Sequence, residues 1–336
     1  MNQSIGKLYK FFADKEFRMR TISGLGLYNH VSDEKYLKKL YKLKVGKELN
    51  LDNPQTYNEK LQWLKIHDRN PIYTTMVDKF DAKQYVADRV GNKYVIPALG
   101  VWDCFDDVDF EALPDSFVLK CTHDSGGLVI VRDKRKLDML AAKKRIEKCL
   151  KNNYYRYGRE WPYKNVVPRI IAESYIGTHF DGETSQVKYG DSVTCDELQN
   201  MHGLLDYKFM CFNGIVRALF LDIGVIGRGD GHADEYYRNV YDRNGVLLPV
   251  RETRENYAKK VILPDNLNEM IMVAETLSAG IPHLRVDLYR LNTGEIKVGE
   301  MTFFHGSGTT NNFVPESWNK TFGDWLDLSI VQKQKH

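Results

Sequence analysis

The stretch from Leu284 to Gly308, LRVDLYRLNTGEIKVGEMTFFHGSG, reads as two short strands joined by a tight turn at Asn292, Thr293 and Gly294. Residues alternate in character on both sides of that turn-forming cluster, the pattern of a hairpin. In the first strand Leu284, Val286 and Leu288 share one face, so Arg285 and Asp287 share the other. In the second strand Glu300 and Thr302 lie together on one face.

If the polar faces meet, Asp287 stands against Glu300 across adjacent strands. Like charges so placed are destabilising unless a cation sits between them. Two carboxylates with the Thr302 hydroxyl nearby suit a hard, oxygen-seeking ion. Magnesium completed by water and nucleotide phosphates accounts for so sparse a set. Arg285 beside them suits a phosphate or a substrate carboxylate. A surface hairpin with solvated charges is the competing reading of the stretch taken alone.

With 336 residues and 43% hydrophobic content the chain can fill two or three packed subdomains. No apolar run approaches the roughly 18 to 20 residues of a membrane span, and the N-terminus MNQSIGKLYKFFADKEF lacks a long apolar signal core, so cytoplasmic residence is the expectation. Cys104, Cys121, Cys149, Cys195 and Cys211 are scattered without a CxxC pair, which indicates neither a disulfide framework nor a zinc site. The 48 basic and 45 acidic residues are too balanced to argue for nucleic-acid binding. The stretch through Lys47 is locally basic, with Lys38, Lys39, Lys42, Lys44 and Lys47 close together. It reads as a solvated helix face, with contact to an anionic membrane surface or acidic polymer as the weaker alternative.

Residues 1–100 read as a mainly helical N-terminal domain. Thr56 and Glu59 have capping-box spacing, which predicts a helix from Tyr57 to His67. A second helix is expected from Ile72 to Val90, with Lys79 and Lys83 four apart on one face; such pairs are usually solvent-exposed. Residues 101–176 read as a small α+β lobe. Here Phe117 to Thr122 and Leu128 to Val131 are strands joined by a glycine loop, His123, Asp124, Ser125, Gly126 and Gly127. Lacking a following helix and a Gly-Lys-Ser/Thr ending, it is no Walker-type loop, although its amides can cover phosphates with Lys120 as a point charge. Arg169 to Ile176 is an apolar strand whose end, Glu173 to Ile176, suits the edge of a purine. Residues 177–336 read as a larger lobe. It opens with a polar loop from Gly177 to Gly203 and a hairpin carrying Lys208. A charged loop from Gly224 to Pro249, with Arg228, Asp230, His232, Asp234 and Arg238, suits an acceptor substrate.

The order of lysine strand, glycine loop, Glu-x-x-Ile strand, second lysine strand, R-V-D and G-E-M-T resembles the nucleotide site of the ATP-grasp superfamily, in which two α+β lobes close on ATP. The blocks NPQTYNEKLQWLKIHDRNPIYTTMVDKF, FVLKCTHDSGG, PRIIAESYI and DYKFMCFNG, with the terminal hairpin, look like its teichuronopeptide-biosynthesis (TupA-like) branch, associated with bacterial capsule, exopolysaccharide and cell-wall polymers. The resemblance covers about Val45 to Leu328. It implies that Lys79, Lys120 and the loop His123 to Gly127 approach the phosphates of ATP, and that Glu173, Tyr175 and Ile176 line the adenine pocket. Lys208 would reach phosphate or ribose, Arg285 the γ-phosphate or acyl phosphate, and Asp287, Glu300 and Thr302 magnesium. The superfamily usually has asparagine where Thr302 stands, and the branch arginine where Lys83 stands.

The implied activity is a carboxylate–amine ligase working through an acyl phosphate on a uronic acid or amino acid, at or near membrane-associated polysaccharide machinery. A kinase phosphorylating a sugar hydroxyl and a non-catalytic nucleotide-binding component of an assembly complex are the alternatives.

Overall fold

Short helices with locally determined ends open the chain. The computed structural model describes residues 3–124, 126–177, 191–225, 236–310 and 312–333. Helices Gln3–Ala13, Lys15–Gly24 and Asp33–Val45 come first, the third capped by Ser32 and ended by Gly46 at φ +79°. Met19, Tyr36, Leu37, Leu40, Tyr41 and Val45 make a small core there. The helix Tyr57–His67 begins as expected, with Thr56 and Glu59 forming the reciprocal capping box.

The single helix expected from Ile72 to Val90 is two, Ile72–Val77 and Asp81–Val90. Asp78 breaks it: its Oδ1 accepts the amides of Phe80 and Asp81 at 2.8 and 3.0 Å, so the carboxylate opens the second helix. Arg169 Nη2 then ties Asp78 to Asp81, at 3.0 and 2.9 Å. Lys79 therefore lies in the break rather than on a helix face shared with Lys83, and both lysines are half-buried rather than exposed.

Four antiparallel strands form the smaller sheet, in the order Ala98–Trp102, Ile170–Ser174, Phe117–Cys121, Leu128–Val131. Helix Met139–Leu150 lays Ala142, Ile146 and Cys149 against it. The larger sheet is also antiparallel, in the order Ile296–Thr302, His283–Arg290, Asp206–Phe212, Ile215–Ile223, Tyr237–Asp242. Helix Leu267–Ser278 packs on it, and Tyr57, Leu61, Tyr73 and Met76 of the preceding helices join the same core.

Two expected loops contain more structure. Within the polar stretch Gly177 to Gly203, Cys195–His202 is a helix with its own capping box, Thr194 with Glu197, which buries Cys195, Leu198 and Gln199. Within the charged stretch Gly224 to Pro249, Tyr237–Asp242 is a strand, and Arg238 is buried in it rather than offered to solvent. Arg228, Asp230, His232 and Asp234 lie outside the described residues. Among the described residues no helix is long and apolar enough to cross a membrane.

Candidate functional site

The hairpin forms with the expected turn, Gly294 at φ +85°. Leu284, Val286 and Leu288 are fully buried, and the register sets Arg285 against Thr302 and Asp287 against Glu300. A bulge follows Asp287. Gly299 sits there because an added Cβ would meet the Tyr289 ring at 2.6 Å. The expected like-charge pair thus exists, and the protein's own cations answer it. Arg285 donates through Nε to Asp287 Oδ1 at 2.6 Å and through Nη2 to both Asp287 Oδ2 and Glu300 Oε1 at 2.7 Å. Lys208, on the neighbouring strand, donates to Asp287 Oδ2 at 2.9 Å.

These groups belong to a charged ring that is largely buried except at Glu300. Lys208 also pairs with Asp206 and stands 4.0 Å from Asp222. Arg238 holds Asp222 through Nε and Nη2, at 2.5 and 2.6 Å, and pairs with Glu252. His305 closes the ring, with Nδ1 3.1 Å from Arg285 Nη1 and Nε2 3.6 Å from Glu252 Oε1. Burial opposes each charge, and the partners decide the outcome. Arg285 and Lys208 overcome it at Asp287, whose pKa falls well below the usual carboxylate range. At Asp206 burial wins, helped by Asp287 and Asp222, and pushes the carboxyl up to about 7.

In the small lobe Glu173 is the corresponding centre, its side chain 4% exposed. Lys83 lies 2.6 Å from its Oε1 and Lys120 2.5 Å from its Oε2. Burial alone would raise its pKa; the two lysines instead hold it down to about 2. Glu173, Tyr175, Ile176 and Lys120 line a cleft with the apolar Ile96 and Leu128. Leu204 and Tyr289 close it from the side of the larger sheet. Lys79 and Lys83 line one recess with Glu300 of the hairpin, and Lys79 is fixed there by the glycine loop. Its amide donates to Thr122 O at 3.1 Å and its Nζ to Asp124 O at 2.5 Å. Burial lowers its pKa, while Glu300 of the hairpin, which lines the same recess, pulls it up.

The glycine loop is fixed by close packing. Gly126 has φ +110°, and a Cβ on Gly127 would meet Cys149 Cβ at 2.8 Å. His123 turns inward, its Nε2 3.1 Å from Asn152 O, so it packs within the small lobe. Ser125 lies outside the described residues. Thr302 Oγ1 donates to Glu300 Oε1 at 3.3 Å, which ties it to that carboxylate.

A family model described as TupA-like ATP-grasp matches residues 59–189 and 194–327, most of the chain. The chain belongs to the TupA-like ATP-grasp family. Its α+β fold is accordingly the ATP-grasp fold. No curated protein matches the sequence. Among solved structures, this ATP-grasp chain is similar to D-cycloserine synthetase DcsG, at 16% identity over 78% of this chain and 72% of that one, TM-score 0.41. It is also similar to VanG D-Ala:D-Ser ligase from Enterococcus faecalis, at 13% identity over 81% and 63%, TM-score 0.42. An L-amino acid ligase from Bacillus licheniformis shows 15% identity over 75% and 49%, TM-score 0.41. The chain thus spans less than two thirds of the latter two proteins.

The ring tests whether magnesium suits an ATP-grasp site built this way. Asp206, Asp222, Glu252, Asp287 and Glu300 meet Lys208, Arg238, Arg285 and Lys79, one more carboxyl than cations, with Asp206 the one that burial pushes toward its neutral form. Asp287, Glu300 and Thr302 offer oxygen only, the donor type a hard divalent cation takes. Among the described residues no three His, Cys, Asp or Glu side chains converge on one point. The donor type suits such an ion, while both Asp287 oxygens are held by Arg285 and Lys208.

The block NEKLQWLK, Asn58 to Lys65, has a role that was not expected from its sequence. Asn58, Gln62 and Lys65 fall at i, i+4 and i+7, one face of the helix, and all three are fully buried. Asn58 Nδ2 donates to Thr310 O at 2.6 Å, and Gln62 Nε2 to Ser307 O and Gly308 O at 2.9 and 2.7 Å. Lys65 Nζ donates to Gly158 O and Ser307 O, both at 2.8 Å. Together they hold Gly306, Ser307 and Gly308 in left-handed conformation, φ +55° to +58°, directly after His305. The signal was present: polar residues at helical spacing beside Leu61 and Leu64. Burial brings the Lys65 pKa down to about 8. Lys65→Met is expected to cost about 2 kcal/mol and to raise hydrogen exchange at residues 305–310, measured by thermal denaturation and mass spectrometry. Unchanged exchange would show that the helix does not hold this turn.

Proposed function

We propose that this protein is an ATP-dependent carboxylate–amine ligase that forms an amide through an acyl phosphate. Family membership supports the use of ATP. The observation that carries the reading is the recess that Lys79 and Lys83 share with Glu300 of the hairpin: Lys83 pairs with Glu173, and Tyr289 of the hairpin lines the Glu173 cleft, so that one bound nucleotide can reach both. The adenine lies against Glu173 to Ile176, and Lys120, Lys79 and the amides of the glycine loop face the phosphates. Asp287, Glu300 and Thr302 hold magnesium, which neutralises phosphate charge when bound.

Arg285 and Lys208 stabilise the charge that develops on the transferred group. A substrate carboxylate oxygen bonds to the γ-phosphorus as the bond to ADP breaks. An amine nitrogen then bonds to the acyl carbon, losing a proton as phosphate leaves. The acid is a uronic acid or an amino acid, and the product decorates a bacterial capsular, exopolysaccharide or cell-wall polymer from the cytoplasmic side. The sequence blocks shared with the teichuronopeptide branch support that choice.

Calorimetry on the purified protein is expected to show ATP binding only with magnesium. Inorganic phosphate release is expected only when a carboxylate, such as glucuronate or glutamate, and an amine are both added. Phosphate retained on a sugar product, or ATP binding indifferent to magnesium, overturns the ligase reading.

A further inference from the structure

Helix Gln3–Ala13 presents Leu8, Tyr9 and Phe12 to solvent, 60, 73 and 68% exposed. Positions i, i+1 and i+4 fall on one helix face, so the three form a single apolar and aromatic stripe. The stripe lies apart from the small core, to which the next helix, Lys15–Gly24, is fastened by Met19. Asp14 links the two helices by accepting the amides of Glu16 and Phe17, and Arg18 Nη1 reaches back to Phe12 O at 3.2 Å. The first helix is thus held outward on a supported arm.

Charge surrounds this stripe. Residues 1–20 carry Lys7, Lys10, Lys15, Arg18 and Arg20 against Asp14 and Glu16, a net +3 that equals the net charge of the whole chain. The rest of the sequence sums to neutral, and the segment that carries the exposed helix has an excess of positive charge. Lys7, Lys10, Lys15 and Arg20 are exposed, and Glu16 is answered from elsewhere by Lys44 at 2.9 Å.

We propose that this helix docks the protein on an anionic lipid surface. Leu8, Tyr9 and Phe12 enter the headgroup boundary, where aromatic rings are favoured, and the basic side chains stay among the anionic headgroups. A second copy of the chain fits the stripe less well, since a two-fold interface would set one positive collar against another. The inference rests on surface chemistry alone and is independent of the ligase reading.

Co-sedimentation of the full chain with phosphatidylcholine vesicles, with and without phosphatidylglycerol, tests it. Binding is expected to the anionic vesicles, and about tenfold or more weaker to the neutral ones or in high salt. Leu8→Glu with Phe12→Glu is expected to abolish it, and Lys7→Glu with Lys10→Glu to weaken it about tenfold or more, with thermal midpoints unchanged in both. Failure to pellet with anionic vesicles, equal binding to neutral ones, or a concentration-dependent dimer lost in Leu8→Glu with Phe12→Glu would overturn the proposal, the last in favour of a second copy.

Discussion

Asp287→Asn is expected to lower stability by about 3 to 5 kcal/mol, because it removes the carboxylate that two buried cations share. The amide keeps one acceptor oxygen, so Arg285 loses one of its two bonds to this side chain and meets an NH2 group in place of the other oxygen, while Lys208 keeps Asp206 as its close partner. In a chain of this length that loss lowers the thermal midpoint by about 5 to 10 °C. The neighbouring carboxylate behaves differently. Glu300 is 43% exposed and receives one bond from Arg285, so Glu300→Gln is expected to cost less than about 1 kcal/mol. If both carboxylates hold magnesium with ATP, both variants lose magnesium-dependent ATP binding by at least about a hundredfold. Calorimetry beside thermal denaturation therefore separates two roles that one residue combines and the other does not. Glu300→Gln that binds magnesium-ATP as the wild type does would remove Glu300 from the metal site and leave it only a partner of Arg285.

The hairpin was the most legible part of the sequence. Strict alternation around Asn292, Thr293 and Gly294 specifies both the turn and the faces, and the fully buried Leu284, Val286 and Leu288 enforce the register that sets Asp287 against Glu300. The capping boxes were equally local signals; the one at Thr56 was read, while Thr194 with Glu197 was hidden in a polar stretch with little apolar periodicity. The break at Asp78 was harder to see because Tyr73, Met76, Val77 and Phe80 continue the apolar pattern across it. Only the bonds from Asp78 to the amides of Phe80 and Asp81 end the first helix and start the next.

Long-range partners were the least legible. Nothing near Arg238 in the sequence announces that Asp222 and Glu252 will bury it, so a strand residue read as part of a substrate loop. His305 likewise gains its place from Arg285 and Glu252, which lie 20 and 53 positions away in the chain numbering. A charge ring assembled from six strands and a turn has no local spacing to recognise. Its members can be read singly; the order of the larger sheet joins most of them, and Glu252 and His305 are added from outside that sheet.

Glu173→Gln gives the second large effect, and its sign with pH follows from the two lysines. In the folded protein Lys120 and Lys83 hold the carboxyl at about 2, against an ordinary value of 4.5, a difference that corresponds to about 3 kcal/mol. Because the folded value is the lower one, this stabilisation is fully present above about 4.5 and is lost as pH falls toward about 2. The glutamine variant never has it. At neutral pH it leaves two half-buried ammonium groups side by side and is expected to unfold at lower urea, by about 3 kcal/mol. Toward pH 2 the gap between variant and wild type is expected to close, since protonation takes the same charge from the wild type. Urea titrations at pH 7 and near pH 3 measure both effects. Parallel acid limbs, with the variant equally destabilised at both pH values, would mean that the Glu173 carboxylate is not the group that titrates, and that the lysines at the mouth of the cleft are held by something other than its charge.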